Sequence, residues 1–189
     1  FDMTFSSVGY LYDFRISKQP DTDQIKAALP LINYRQILLN AVKKTVYFQN
    51  RGVLLDLGGI AKGYAVDQGV NILKANGVNY ARLSAGGDMR LLGDKRGKPW
   101  IVGIKDPRAS TEEASTQHLI ALPLSDISIS TSGDYERFFI DEKGQRIHHI
   151  LSPKTGKSVR GIQSVSVIGP DATTTDGLST AIFVLGVKE

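Results

Sequence analysis

Three oxygen-bearing side chains late in the sequence stand at a spacing that could hold a hard cation. In TTTDGLST, Thr173 to Thr180, the residues Asp176, Ser179 and Thr180 are three and four positions apart. On a helix that spacing puts them on one side. One carboxylate with two hydroxyls suits Mg²⁺, which usually keeps waters and borrows phosphate oxygens from its substrate. The plain alternative is a solvated polar face, opposite an apolar stripe formed by Leu178, Ala181, Ile182 and Leu185.

A cation of the chain's own stands in DLGGIAKG, Asp56 to Gly63. Gly58 and Gly59 let backbone approach a ligand closely, and the helix that follows offers unpaired N–H groups suited to phosphate. Lys62 falls in the first turn, amid Ala61, Ala65, Val66, Gly69, Val70, Ile72 and Leu73, while Asp67, Asn71 and Lys74 take the other side. Burial and the positive end of the helix dipole both disfavour a lysine there. Lys62 therefore calls for an anion, a phosphate or a carboxylate, unless its stem snorkels to solvent. The loop lacks the longer glycine run and the Lys-Ser/Thr pair of a Walker motif.

HHILSPKTG, His148 to Gly156, supplies a base. Neighbours on a strand face opposite ways, so only one of the two histidines can serve a given site. A histidine near phosphate could take a proton from an attacking hydroxyl; the alternative is a structural histidine tied to a loop carbonyl. SAGGD, Ser84 to Asp88, and STSGDY, Ser130 to Tyr135, are small-residue turns at strand ends. Backbone there can wrap a flat or anionic ligand, or simply turn.

The elements that must position these residues read as α+β: a large, mostly antiparallel sheet with a few packed helices. DTDQIKAALPLI predicts a short helix capped by Asp21, Thr22 or Asp23. TVYFQN and GVLLDLG predict a hairpin turning at Asn50-Arg51-Gly52. A helix is expected from Ile60 to Ala75, stopped by Asn76-Gly77. VNYARLSA, MRLLGD, PWIVGIKDP, HLIALPL, ISIST, YERFFID, QRIHHILSP and SVSVIG predict further strands. Ser110 to Gln117 reads as a polar loop, Glu142-Lys143-Gly144 as a hairpin turn, and a second long helix opens at Asp171.

The 189 residues suit one moderate domain, and a 41% hydrophobic, 22% charged composition is that of a globular protein. The net charge of +4 is scattered without a basic block, which argues against nucleic acid. With no cysteine, disulfides, thiol catalysis and thiolate-bound metal are excluded. The absence suits cytoplasm and periplasm alike. No apolar run is long enough to span a bilayer. The sequence begins inside FDMTF and stops just after an apolar run, so it reads as a domain over 1–189 lacking an N-terminal segment and its extreme C-terminus.

Taken in order, the motifs resemble the ApbE family, the FAD:protein FMN transferases. FDMT, DLGGIAKGYAVD, LSAGGDMRLLG with KPWIVGIKDP, STSGDYERFF with HHILSPKTG, and SVSVIGPDATTTDGLSTAIFVLG follow the family's order and spacing. The resemblance implies an ApbE-like, T-fold-related domain that uses Mg²⁺ and splits FAD. FMN passes to a Thr or Ser hydroxyl of a target flavoprotein, and AMP leaves. Some members hydrolyse FAD to FMN and AMP, and many are exported lipoproteins anchored at the periplasmic face of the inner membrane. A cytoplasmic location and a non-catalytic flavin-binding protein are the alternatives.

By the same resemblance, the metal would be held by Asp176, Ser179 and Thr180 and by the backbone carbonyl of Gly59. FAD would be contacted by Phe1, Asp2, Asp56, Lys62 and Ile150, and His149 would be the base, with Asp176 sharing the catalytic role. The resemblance further implies a segment with flavin-stacking contacts that would precede Phe1. The chain departs from the family where VGYLYDF replaces the usual Gly-Pro-Leu run.

Overall fold

The computed structural model describes residues 1–109 and 118–187; the loop expected at Ser110 to Gln117 lies outside the described residues. In chain order the helices are α1 (Ser6–Gly9), α2 (Thr22–Ala28), α3 (Ala61–Ala75) and α4 (Ala172–Leu185). The strands are β1 (Ile37–Asn40), β2 (Thr45–Phe48), β3 (Ala81–Ala85), β4 (Asp88–Leu92) and β5 (Trp100–Lys105). They continue with β6 (His118–Leu124), β7 (Ser128–Gly133), β8 (Phe138–Ile140), β9 (Arg146–His148) and β10 (Ser164–Gly169). Among the described residues every strand pair is antiparallel, as expected for this α+β class. Among the described residues the single large sheet expected is instead one four-stranded sheet, ordered β10-β7-β4-β3, and three two-stranded ones. The chain gathers into two compact units, Phe1–Leu57 with Asp134–Arg160, and Gly58–Gly133 with Gly161–Glu189.

The first unit closes on Val8, Tyr12, Ile25, Phe139, Ile147 and Leu151. Asp21 caps α2 in a full capping box with Gln24, so the start signal holds. The Tyr12 hydroxyl donates to the Gly156 carbonyl at 3.0 Å, giving a buried polar atom its partner. The turn at Glu142-Lys143-Gly144 joins β8 to β9, with the Asp141 carboxylate accepting from the N–H groups of Lys143 and Gln145.

The hairpin expected through Asn50-Arg51-Gly52 does not form. β2 pairs backwards with β1, and Asn40 Oδ1 builds that turn by accepting the Lys43 N–H at 2.8 Å. GVLLDLG is not a strand at all. Its Leu54 N–H donates to Ser7 Oγ and its Asp56 N–H to the Met3 carbonyl. With those donors satisfied by the N-terminal segment, no ladder is needed.

In the second unit α4 packs on β7 and β10 and also on α3, which covers β3 and β4. The β5–β6 pair packs its inward residues around Leu91, Val102 and Ile129. Helix α3 stops where expected: Gly77 takes a φ of 76°, and the N–H groups of Gly77 and Val78 close the last turn on Lys74 and Leu73.

Both helices lie differently from their apolar patterns. On α3 the buried positions are Gly63, Val66 and Val70, with Asp67 half-buried beside them, while Ala61, Ala65 and Ile72 are exposed. Gly63 sets this orientation, because any Cβ there would collide with the Ala172 backbone of α4. On α4 the expected apolar stripe points out, with Leu178, Ile182 and Leu185 exposed. The polar side points in: Thr175, Asp176 and Ser179 are buried with Ala172 and Phe183. This disposes of the solvated polar face.

Candidate functional site

The inward side of α4 meets three elements of its own unit. The Asp176 carboxylate, 2% exposed, accepts the Gly63 N–H at 3.0 Å. That N–H belongs to the first turn of α3, whose own N-cap, Ile60, supplies no side-chain bond. The favour is returned, for Asp67 of α3 accepts the N–H groups of Ala172 and Thr173 at 2.8 Å each, and the Thr173 hydroxyl at 2.6 Å. Each helix thus caps the other, satisfying amide donors that would otherwise be orphaned and placing carboxylates at positive dipole ends.

Lys62 finds its anions in this arrangement. Its Nζ lies 2.7 Å from Asp88 Oδ2 and 3.2 and 3.3 Å from the two Asp176 oxygens. It also donates to the Gly58 carbonyl at 3.0 Å. Burial works against the ammonium, but Asp88 and Asp176 outweigh it and hold the Lys62 pKa above the usual lysine range. Burial pushes the Asp88 carboxyl up, and Lys62 only partly opposes that. Two carboxylates facing one ammonium leave the cluster with a net negative charge.

Asp88 is delivered by the turn in SAGGD. Ala85 and Asp88 are the closing pair of the β3–β4 hairpin, and Gly86 and Gly87 take φ values of 57° and 100°. Positive φ at both central residues is the tight-hairpin pattern that glycine permits. The serines of STSGDY, on β7, face α4. Ser130 Oγ lies 2.8 Å from Thr175 Oγ1, and Ser132 Oγ lies 2.8 Å from Ser179 Oγ and 3.0 Å from Thr180 Oγ1. Ser179 also donates to the Asp176 carbonyl at 2.9 Å. The Gly59 carbonyl flanks α4 one residue on from Asp176, 4.0 Å from where a Gly177 Cβ would be.

Asp176, Ser179, Thr180, Lys62 and Gly59 are therefore brought into one unit. Asp88, Ser130, Ser132 and Asp67 belong with them but were not singled out from sequence. Two of the motifs that hold them, SAGGD and STSGDY, read from sequence as backbone turns, whereas it is their side chains that enter this cluster. The donors are hard oxygens, and their excess negative charge fits a divalent cation. Among the described residues, no three His, Cys, Asp or Glu side chains gather as a ready metal cage. A cation at Asp176 would need hydroxyl, carbonyl and substrate oxygens as well.

The remaining expected residues belong to the first unit. Phe1 is exposed there. Asp2 accepts from the Thr4 N–H and hydroxyl through one oxygen and from the Tyr34 N–H through the other. Asp56 is half-buried, and Ile150 is buried with its N–H directed to His148 Nδ1. His148 is the structural histidine of the pair. Its Nε2 lies 2.7 Å from the Val159 carbonyl, which fixes the neutral tautomer with Nδ1 as acceptor. Burial, ahead of every other influence, lowers its pKa. His149 is half-buried, with Nδ1 3.3 Å from the Arg137 carbonyl. A carbonyl only accepts, so Nδ1 donates and the ring's basic lone pair is on Nε2.

Fold and site together define an α+β protein whose helices cap one another around a lysine shared by two carboxylates. The ApbE family model matches residues 1–189, and the chain belongs to the ApbE family. It is 37% identical over 185 residues to an FAD:protein FMN transferase of Treponema pallidum, an alignment covering 90% of this chain and 50% of the relative. Among solved structures, the ApbE protein from Thermotoga maritima matches with a TM-score of 0.87 and 39% identity, over 98% of this chain and 59% of that one. The apo flavinyl transferase ApbE of Pseudomonas stutzeri matches with a TM-score of 0.81 and 30% identity, over 100% of this chain and 58% of that one. The chain spans about half the length of the curated relatives it matches.

Proposed function

We propose that the chain serves Mg²⁺-dependent transfer of FMN from FAD to a Thr or Ser hydroxyl of a target flavoprotein, with release of AMP. The observation that carries this reading is the buried Asp176 carboxylate, held by Lys62 and Gly63 on an inward polar helix face, in a family whose relatives bear that name. Asp176, Ser179 and Thr180, with the Gly59 carbonyl, would hold Mg²⁺. The ion, when bound, neutralises phosphoryl oxygens and the leaving phosphate.

The chain's own residues do the rest. Lys62 adds a fixed positive charge beside Asp176, suited to a diphosphate oxygen. Phe1, Asp2, Asp56 and Ile150 are the further FAD contacts that family membership supports. His149 Nε2 takes the proton of the acceptor hydroxyl as the new P–O bond forms and the pyrophosphate P–O bond breaks. His149→Ala is expected to suppress transfer while FAD affinity stays within a few fold; loss of FAD binding would make it a structural residue. An inner-membrane-anchored, periplasmic location is part of the same reading, and cell fractionation tests it.

Incubation with FAD and an acceptor domain bearing an exposed Thr, with and without Mg²⁺, tests the whole. Mg²⁺-dependent AMP with flavin that stays on the acceptor through denaturation supports transfer. AMP with only free FMN replaces the acceptor by water, and FAD bound but unchanged leaves a binding protein.

A further inference from the structure

We infer that Asp88 is a positioning residue for the metal-ligand carboxylate: it keeps hold of the Lys62 ammonium when Asp176 turns to a divalent cation. This rests on the reading of Asp176 as a metal ligand given above.

The geometry is that of a shared counter-ion. An ammonium has three protons to donate, and Lys62 Nζ has four oxygens within reach: Asp88 Oδ2 at 2.7 Å, both Asp176 oxygens, and the Gly58 carbonyl. The shortest contact is to Asp88, not to the proposed ligand. The Lys62 stem runs beside the Gly86 turn, with 41% of the side chain exposed. A Cβ at Gly86 would be 3.1 Å from Lys62 Cδ. Asp88 is buried, with its side chain only 3% exposed at the closing pair of a tight hairpin.

A cation arriving at Asp176 therefore meets a lysine charge already there. If Asp176 were the only anion, binding metal would strip the half-buried ammonium of its partner and set two positive charges side by side. Asp88 removes that conflict. It pairs with Lys62 in both states, so Asp176 can be yielded to the metal while the ammonium stays compensated. Asp88 acts through Lys62 and need not touch the cation itself.

The test is Mn²⁺ binding to the whole chain, followed by the loss of the free-ion electron paramagnetic resonance signal. A thermal melt of each metal-free variant serves as the folding control. Wild type should bind and Asp176→Asn should not; failure of either sinks the metal reading itself, independently of Asp88. Given that, Asp88→Asn should bind about tenfold more weakly, the usual scale for an outer partner of a ligand. Lys62→Gln added to Asp88→Asn should restore the affinity, because the competing charge is gone. Unchanged affinity in Asp88→Asn overturns the inference, as does a double variant no tighter than Asp88→Asn. Should Asp88→Asn fail to fold, Lys62→Gln alone decides. Affinity at or above wild type fits a competing ammonium, and weakened binding overturns it.

Discussion

The first unit closes around Val8, Tyr12, Ile25, Phe139, Ile147 and Leu151, whereas the second rolls α4 so that Thr175, Asp176 and Ser179 face inward and leucines face out. In the first, buried His148 is satisfied locally, between Val159 and Ile150. In the second, Asp88 of β4 and Ser130 and Ser132 of β7 are paired with side chains of the two long helices. Apolar burial alone would have turned α4 the other way, at roughly 2 kcal/mol for each buried leucine. The inward carboxylate and hydroxyls are held instead by reciprocal capping and by Lys62. The second unit keeps an apolar core around Leu91, Val102 and Ile129 but gives the inward face of α4 to a charged site.

Breaking the packed side should give the largest loss of stability. Leu151→Ala in the first unit's core is expected to cost about 3 kcal/mol, within the usual range for a buried leucine. Urea denaturation measures it, and a cost below 1 kcal/mol would mean the first unit does not depend on that core. Lys62→Met attacks the other side. Removing the ammonium leaves Asp88 and Asp176 buried without their shared cation. Losing one partner of a fully buried pair costs about 3–5 kcal/mol. Lys62 keeps 41% of its side chain exposed, so a smaller loss of about 2 kcal/mol is expected.

Asp67→Ala isolates the capping. It deprives the first two amides of α4 of their acceptor, leaving Asp171 to hold the Thr174 N–H through its carboxylate and the Thr175 N–H through its carbonyl. The expected loss is about 1 kcal/mol, seen as a lower melting temperature, and an unchanged melt would mean Asp171 alone suffices. His148 sharpens the comparison through pH. Its folded pKa is lowered, so the unfolded chain takes up the proton first as pH falls. The stability it contributes is whole above the ordinary histidine value of about 6.5 and is lost as pH drops from there through the folded pKa. Melting temperatures against pH should fall over that window in wild type and fall less in His148→Gln; parallel curves would discard the assignment.

Much of this was legible in the sequence because it is local. Asp21 before TDQ, Asn76-Gly77, Glu142-Lys143-Gly144 and the paired strands around Gly86-Gly87 all act through neighbouring backbone. GVLLDLG misled because composition reports an apolar extended segment but not whether its amides find a ladder or Ser7 and Met3. Asp88 and Ser132 stand within recognisable motifs, yet their partners lie 26 residues before (Asp88 to Lys62) and 47 after (Ser132 to Ser179), where no local rule reaches.

The smallest effect is the most telling about α4. Its stripe of Leu178, Ile182 and Leu185 has the spacing of a buried helix face, and on pattern alone Leu185→Gln would remove a core leucine at a cost of about 2–5 kcal/mol. Leu185 is instead 78% exposed. Exchange for glutamine, a comparable helix former, should then move stability by no more than about 0.5 kcal/mol. The inward Ser179→Ala change, though far smaller in volume, should cost more, about 1–2 kcal/mol, since it leaves Ser132 and the Asp176 carbonyl each short of a partner. The two substitutions lie six residues apart on one helix, and the sign of their difference reports which way that helix faces. If Leu185→Gln proves the costlier in a common urea titration, the leucines are covered in solution and the polar face of α4 does not point inward.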